Sequence, residues 1–241
     1  MGAKRAARRI AERLLAARIY RLEQFPWGMD FAHDVARQAP HLRFRTVFDV
    51  GANVGQSALE FSGSFPEARI WSFEPFTEPF EELVRATEKL NVVCVRLALG
   101  SAPGEVTVAV DEHSVHNSLL RAVAGGAHDG PVETVRVTTI DDFTADNGIE
   151  HIDFLKVDTE GFDLEVIAGA ERCLGTGAVS FVQVEAGMTP HAETLVPYDD
   201  LRDHLSRHGY VLFGIYVQVP EWTGEARLRF ANPVFVHESI V

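Results

Sequence analysis

The chain has 241 residues, 46% of them hydrophobic, which is enough apolar material for one large α/β domain or two small ones. Its formal net charge is −13, yet residues 1–45 carry ten Lys and Arg against four Asp and Glu, while the remainder carries 12 against 31. The acidic main body argues against a nucleic-acid partner, because contact with a polyanion needs a basic face.

The sequence shows no sign of a membrane span or of a secretion signal. No apolar run approaches the ~20 residues of a transmembrane helix, and the N-terminus lacks the apolar core of a secretory signal peptide. Cys94 lies in an apolar strand-like run and Cys173 near the end of a helical pattern. We expect both to be reduced core thiols, in keeping with a cytoplasmic location.

The first predicted element is a basic amphipathic helix over residues 3–22, where Leu and Ile recur at helical spacing among six arginines. Such a helix most simply packs on its own domain. It could also touch an anionic membrane surface, hold an acidic partner or cover an active site. We therefore divide the chain into an N-terminal helical extension, residues 1–45, and one domain, residues 46–241.

From residue 46 onward, short apolar strands alternate with amphipathic helices, a pattern typical of a mainly parallel sheet with helices on both faces. The predicted strands are 46–50, 69–73, 92–97, 152–157, 179–184, 210–218 and 227–236. The predicted helices are 57–62, 79–90, 164–174 and 199–208. The last two strands follow each other without a helix and should form an antiparallel edge hairpin. The expected fold is therefore α/β, with a seven-stranded, mainly parallel sheet.

The stretch after the third strand departs from this alternation. Residues 105–110 and 134–137 read as short strands joined by a segment rich in Gly, His and Ser. We expect a β insertion after strand 3, lying above the carboxyl edge of the sheet.

The stretch VFDVGANVGQ, residues 47–56, carries the first strand into a glycine turn. In open α/β sheets this first strand-to-helix turn usually approaches the ligand most closely. A dinucleotide fingerprint that starts at Gly51 needs further glycines where this chain has Asn53 and Gln56. The second glycine is what lets the backbone touch a pyrophosphate, so Asn53 favours a nucleoside without phosphate. S-adenosylmethionine is such a ligand, and Asp49 could bind its amino-acid end.

An acid follows at the end of the second strand. Glu74 lies 23 residues after Gly51, the spacing at which a carboxylate reaches the hydroxyls of a ribose. Strand, glycine turn, helix, strand and acid thus occur in the order that a nucleoside site requires. The alternative is a tight turn beside a solvent-facing glutamate.

Several blocks of the sequence resemble the FkbM-type methyltransferases, within the class I fold of S-adenosylmethionine-dependent methyltransferases. They are VFDVGANVGQ (47–56), FEP (73–75), LALG (97–100), NSLL (117–120), VTTIDDF (137–143), IDFLKVDTEGFDLEVIAGA (152–170) and GYVLF (209–213). The stretch LKVDTEG, which follows TIDDF at short range, is the part most specific to that family. The resemblance covers roughly residues 45–237.

This resemblance implies a Rossmann-like class I methyltransferase fold, S-adenosylmethionine as cofactor and a hydroxyl oxygen as methyl acceptor. On the matching blocks the implied cofactor contacts are Asp49, Gly51, Asn53, Gly55 and Glu74. We add to them their neighbours in the same blocks, namely Ala52, Pro75, Phe76, Asn117 and Ser118.

Methylation of a hydroxyl needs an aligned acceptor that loses its proton to a base or a metal. Asp158 and Glu160 are the first candidates, because they follow a buried strand and should share a crevice with the glycine turn. Glu160 could instead complement the dipole of the following helix. Glu185 ends the next strand and could meet Asp158. Two or three carboxylates there would also suit Mg²⁺, so base and metal ligand both stay open.

Histidines supply further candidates. His116, in the inserted segment, could reach over the site as a base, although a loop histidine more often has no chemical role. His204 and His208, four residues apart, resemble half a metal site but lack a third ligand motif, so we expect a solvated helix face. Lys156 alternates out of the strand core and should form an ion pair.

The sequence thus predicts a methyltransferase that uses S-adenosylmethionine to methylate a hydroxyl of a small molecule, such as a secondary metabolite, or of a glycan. An NAD(P)-dependent oxidoreductase and a non-catalytic nucleoside-binding module are the alternatives. The sequence is also compatible with a homodimer.

Overall fold

In a computed structural model of the protein, the structure describes Tyr20 and residues 24–109, 132–189 and 194–240. Apart from Tyr20, the basic helix predicted over residues 3–22 lies outside these ranges. No helix within the described ranges is long and apolar enough to cross a membrane.

The centre of the fold is a mainly parallel sheet. Its strands are β1 (Thr46–Val50), β2 (Arg69–Phe73), β3 (Val92–Val95), β7 (Ile152–Val157), β8 (Val179–Val184), β9 (Ala186–Gly187), β10 (Tyr210–Pro220) and β11 (Leu228–His237). The order across the sheet is β10, β11, β8, β7, β1, β2, β3, and the short β9 pairs with β11. The pairs among β3, β2, β1, β7 and β8 are parallel, whereas β11 is antiparallel to β8 and β10 to β11. The predicted seven strands and edge hairpin are confirmed, with β9 as a short eighth strand.

A second sheet confirms the β insertion after strand 3. It consists of β4 (Ala98–Leu99), β5 (Gly104–Ala109) and β6 (Val132–Thr138), in the order β4, β6, β5. The predicted third strand, 92–97, ends early at Val95 because the chain crosses to this second sheet. Glu133 of β6 accepts the backbone N–H of Thr77 at 3.0 Å and pairs with Arg96 at 2.6 Å. These contacts fix the small sheet beside the carboxyl ends of β2 and β3.

Helices cover both faces of the central sheet. They are α1 (Phe31–Gln38), α2 (Gln56–Ser64), α3 (Thr77–Thr87), α4 (Ile140–Asp146), α5 (Asp163–Ala168), α6 (Glu171–Gly175) and α7 (Tyr198–Ser206), followed at the end by a 3₁₀ turn (Glu238–Ile240). The helix predicted over 164–174 is two helices, because the chain turns at Gly169, where a Cβ would lie 2.0 Å from the Gly100 oxygen. Helices α1 and α4 are not among the predicted helices. They begin after Asp30 and Thr139, whose side chains each accept a backbone N–H of the first turn.

Alternate residues of the central strands enter two separate apolar cores. Val47 and Phe154 face a core under α1 and α2, while Phe48 and Leu155 face the core under α4 to α7. The extension contributes to the first core, since Phe31 of α1 stacks on Phe154 with ring centroids 4.6 Å apart. Strands buried on both faces are what the near-continuous apolar runs of the sequence predict.

Candidate active site

The turn after β1 is pressed against the loop after β7. Gly51, Asn53 and Gly55 have positive φ angles of 77°, 48° and 98°. A Cβ on Gly51 would lie 1.9 Å from the backbone oxygen of Asp158. Only glycine therefore permits this close approach of the two loops. They meet where the strand order reverses between β1 and β7, the place where open α/β sheets bind ligands.

The carboxylate of Glu74 binds the backbone of the same turn. Its Oε2 accepts the backbone N–H of Asn53 at 2.9 Å and its Oε1 accepts that of Phe76 at 3.0 Å. Burial raises the pKa of this carboxyl to about 7, although the two N–H groups oppose the shift. Each carboxylate oxygen keeps a further acceptor position. Glu74 is a buried clamp on the turn, so the alternative of a solvent-facing glutamate is wrong.

Lys156 is the central residue that sequence reasoning placed incorrectly. The predicted ion pair is present, but the side chain is buried and does not point out of the core. Its Nζ lies 3.2 Å from Oδ1 of Asp49 and 3.3 Å from Oδ2 of Asp158. Burial alone would lower the pKa of Lys156, but these two carboxylates outweigh it and raise the pKa above its ordinary value. The lysine is therefore a fixed cation between two loops. Its partner is set by the register in which β7 lies beside β1, which no pattern along the sequence gives.

The loop after β7 is held by a buried acid. Asp163 accepts the hydroxyl of Thr159 at 3.1 Å and the N–H of Gly161 at 3.2 Å. Burial, followed by the charge of Asp158, raises the pKa of Asp163 to about 6. Glu160 has a positive φ of 54° and precedes α5, which begins at Asp163. Glu160 thus belongs to the loop and not to the first turn of the helix, which corrects the helix-dipole alternative.

Glu185 follows β8 next to this loop. Its backbone N–H donates to the oxygen of Val157 at 3.2 Å. Burial first, and then the charges of Asp158, Glu160 and Asp163, raise the pKa of Glu185 to about 8. The charge of Asp158 therefore reaches Glu185 at the end of the neighbouring strand. That the two acids act together in the site stays a prediction.

A cavity of about 500 Å³ opens between these loops and the small sheet. Among the predicted site residues, its walls include Gly51, Ala52, Asn53, Glu74, Pro75, Phe76, Asp158 and Glu160. Sequence reasoning missed Gln56, Ser57, Pro79, Leu97, Ala98, Leu99, Lys156 and Thr159, which also line it. The stretch LALG, which belongs to the matching blocks, was the available signal for three of them.

Three predicted site residues, Asp49, Gly55 and Glu185, do not line this cavity. Asp49 is completely buried beneath the turn, where it pairs with Lys156. Gly55 caps α2, and a Cβ there would lie 3.1 Å from Leu83 of α3. Asp49 and Gly55 therefore support the turn from behind, through Lys156 and Leu83 respectively.

A polar ligand with an apolar ring suits this cavity. Its volume lies in the range of small-molecule pockets. Oδ1 of Asn53 is buried and has no hydrogen-bond partner, so it is an acceptor without a donor. Phe76 and Leu99 supply apolar wall, and the neighbouring carboxylates suit a positive charge. These features fit S-adenosylmethionine, which combines an adenine ring, hydroxyls and a sulfonium.

A smaller cavity of about 210 Å³ lies on the other side of Lys156 and Asp158. Lys156 pairs in register with Asp49 on one side and Gln183 on the other, so the three side chains form a polar row across the sheet. Asp30, Glu60 and Asn232 are among the other polar residues of the wall. Asp158 thus stands between two cavities.

Three predicted site residues, His116, Asn117 and Ser118, lie outside the described residues. Asp158, Glu160 and Glu185 do not form a cluster with metal-ligand spacing. Within the described ranges, the residues that do have this spacing are Glu171, His204 and His208, which lie elsewhere in the fold.

Comparison with known proteins gives a family match over the site. Residues 49–212 match the model of the methyltransferase FkbM domain. The hexuronic acid methyltransferase AglP of Haloferax volcanii is 26% identical over 60% of this chain and 57% of its own length. The methyltransferase sdnD of Sordaria araneosa is 29% identical over 59% of this chain and 66% of its own length. The matched region is thus less than two thirds of either relative.

Among solved structures, TrmK of M. capricolum, in complex with S-adenosylhomocysteine, has a TM-score of 0.48 at 10% identity. That alignment covers 88% of this chain and 70% of the other.

Proposed function

The chain belongs to the methyltransferase FkbM domain family, and from that premise we propose that it methylates a hydroxyl group of a sugar or sugar-like small molecule. S-adenosylmethionine is the cofactor of this family and supplies the electrophilic methyl group when bound. The family match leaves the NAD(P)-dependent oxidoreductase without support.

We assign cofactor binding to the 500 Å³ cavity. Glu74 accepts hydrogen bonds from the ribose hydroxyls at the acceptor positions that its two backbone contacts leave. Asn53 offers its unpartnered Oδ1 to a further donor of the cofactor. Asp49 and Gly55 act indirectly, by holding Lys156 and α2.

The observation that carries the choice of a hydroxyl acceptor is the group of acids at this edge of the sheet. Asp158 and Glu160 line the cavity, and Glu185 lies near enough to feel their charges. A general base works best when its pKa lies near the operating pH, and Glu185, with a pKa of about 8, meets that condition. Asp158 is ion-paired with Lys156, so its carboxylate is held in place and suited to orienting the hydroxyl. We propose Glu185 as the base and Asp158 and Glu160 as the residues that hold the acceptor. His116 stays a second candidate for the base.

The acceptor is proposed to be neutral. AglP, the relative of known acceptor class, is named for a hexuronic acid. In this chain Asp158 and Glu160 line the cavity, and Lys156, the one cation among the described residues that line it, already pairs with Asp49 and Asp158. This acidic balance repels a second carboxylate. A neutral glycoside or polyol fits such a wall better than a uronate.

The test is a methylation assay on the purified full chain with isotope-labelled S-adenosylmethionine. Neutral glycosides, their uronate counterparts and an extract of the source cell would serve as acceptors, and mass spectrometry would detect the added CH₂. We expect label on a neutral hydroxyl compound and none after Asp158→Asn. Tight cofactor binding without transfer to any acceptor would favour a non-catalytic nucleoside-binding module. Calorimetry that detects NAD but not S-adenosylmethionine would overturn the proposal.

A further inference from the structure

A second cluster of titratable side chains lies at the opposite edge of the sheet from the candidate active site. Glu171 begins α6, His204 lies in the last turn of α7, and His208 follows that helix. β8 starts at Val179 and β10 at Tyr210, shortly after these residues, and the Tyr210 hydroxyl donates to the Val179 oxygen at 2.6 Å. The cluster is therefore near the amino end of β8, whereas the 500 Å³ cavity is at the carboxyl ends of β1, β2 and β7.

The three side chains converge on one point. Nε2 of His204 lies 3.1 Å from Oε1 of Glu171, and Nε2 of His208 lies 3.3 Å from Oε2 of the same carboxylate. All three ligand atoms are within 4.8 Å of one another. In a tetrahedral zinc site with bonds of about 2.0–2.1 Å, ligand atoms are about 3.4 Å apart. The two distances from histidine to carboxylate are therefore close to those in a coordination shell.

The expectation that His204 and His208 form a solvated helix face is wrong, because their side chains are only 11% and 15% exposed. Nε2 of His204 is buried, and despite its 3.1 Å contact it makes no hydrogen bond of good geometry. A buried ring nitrogen without a hydrogen-bond partner is open to a metal ion.

We propose that Glu171, His204 and His208 form a binding site for a divalent transition metal, with zinc as the preferred ion. Two imidazoles and one carboxylate suit zinc, cobalt and nickel better than magnesium or calcium, which take oxygen ligands. Three protein ligands leave a position for water. The ion would join α6 to α7 and so fasten the segments that lead into β8 and β10.

A hydrogen bond from Arg207 determines which ring nitrogen of His204 carries the proton. Nη2 of Arg207 donates to Nδ1 of His204 at 3.1 Å, which places the ring proton of a neutral imidazole on Nε2. Coordination through Nε2 moves that proton to Nδ1 and displaces Arg207, whose side chain is exposed and can turn into solvent. Replacing Arg207 with alanine should therefore tighten metal binding, because a competing hydrogen bond and a nearby positive charge are both removed.

The test uses the full chain after treatment with a chelator. Isothermal titration with zinc chloride should detect a site that His204→Ala and His208→Ala each weaken by roughly tenfold or more. Cobalt should give visible absorption bands that these variants lack. Glu171→Gln, at a side chain 56% exposed, keeps the shape of the carboxylate and should also weaken binding. His151→Ala and His237→Ala, whose rings contact Ser180 and Ser239, are the matched controls and should leave the site intact.

A structural role without a metal makes different predictions. If Glu171 only bridges two histidines by hydrogen bonds, Glu171→Gln lowers the thermal midpoint equally with and without zinc, and the proposal fails. It also fails if the wild-type chain binds no zinc, or if His204→Ala and His208→Ala bind it as tightly as the wild type. Tighter binding by Arg207→Ala, together with a zinc-dependent rise in the thermal midpoint of the wild type, supports it.

Discussion

Asp49 and Lys156 form a buried ion pair across the two central strands β1 and β7, with 3.2 Å between Oδ1 and Nζ. The pair lies where the strand order reverses. Lys156 also reaches Asp158, 3.3 Å away, and the carbonyl oxygen of Gly51 at 3.4 Å. One cation therefore fixes the two loops that line the candidate cofactor cavity, and its charge is balanced within the fold.

Replacing Lys156 with methionine should be strongly destabilising. The change leaves Asp49 buried without its counter-ion, a loss typically of about 3–5 kcal/mol in the free energy of unfolding. Urea unfolding followed by circular dichroism would measure it. Lys89→Met, at an exposed position, is the matched control and should change little. The double variant Asp49→Asn with Lys156→Met should recover part of the loss, and a single variant no worse than Lys89→Met would contradict this account.

Gly51→Ala should disrupt the approach of the two loops. The new Cβ would lie 1.9 Å from the Asp158 oxygen, and alanine is strained at a φ of 77°. We expect a loss of at least about 2 kcal/mol in the free energy of unfolding, with weaker cofactor binding. Gly63→Ala, in α2 with open space around it, is the control and should stabilise by up to about 1 kcal/mol. If Gly51→Ala and Gly63→Ala changed the free energy of unfolding equally, the contact between the two loops would not be what requires glycine at position 51.

Glu74→Gln should weaken binding of S-adenosylmethionine by about 10–100-fold, the value of one or two hydrogen bonds to a charged acceptor. Because the pKa of Glu74 is raised to about 7, the wild type should bind more weakly as the pH falls below about 7, where the carboxyl becomes protonated. Calorimetric titration at pH 6 and pH 8 measures both effects. Exposed Glu78→Gln is the control. A pH-independent affinity in the wild type would count against ribose binding by this carboxylate.

Glu185 should make the stability of the protein fall as the pH rises. Its pKa is about 8 in the folded protein and 4.5 in its ordinary state, so between these values the folded chain binds more protons than the unfolded chain. Its contribution is complete below pH 4.5 and is lost as the pH rises through about 8. Denaturant unfolding from pH 5 to pH 9 should show this slope, and Glu185→Gln should flatten it. Glu150→Gln, at an exposed position, should leave the slope unchanged.

The proposed role of Glu185 as base predicts the opposite trend for activity. The carboxyl must be ionised to accept a proton, so kcat should rise with pH up to about 8. Glu185→Gln should lower kcat by about 10²–10⁴-fold with little change in the affinity for S-adenosylmethionine. Steady-state kinetics across this pH range, with binding measured separately, distinguishes a base from a residue that only supports the fold. An unchanged kcat would leave His116 as the candidate to test next.

The sequence by itself determined the local elements. Four strands, including Thr46–Val50 and Ile152–Val157, match their prediction residue for residue, because compact apolar runs between turn residues mark both ends. The glycine turn and Glu74 were also readable, since each depends on spacing within one strand–turn–helix–strand segment. Helix ends were predicted less well, because Gly169 breaks a helix only through its contact with the distant Gly100.

Only the tertiary structure decided what faces the cavity and what lies behind it. Lys156 is read from sequence as an outward residue, and it becomes a buried cation because β7 lies beside β1 and brings it to Asp49. In the same way Glu171 completes a ligand set with two histidines more than 30 residues away, which the i, i+4 spacing alone could not predict. Electrostatic partners depend on distances between chain segments, and those distances are fixed by packing, not by local pattern.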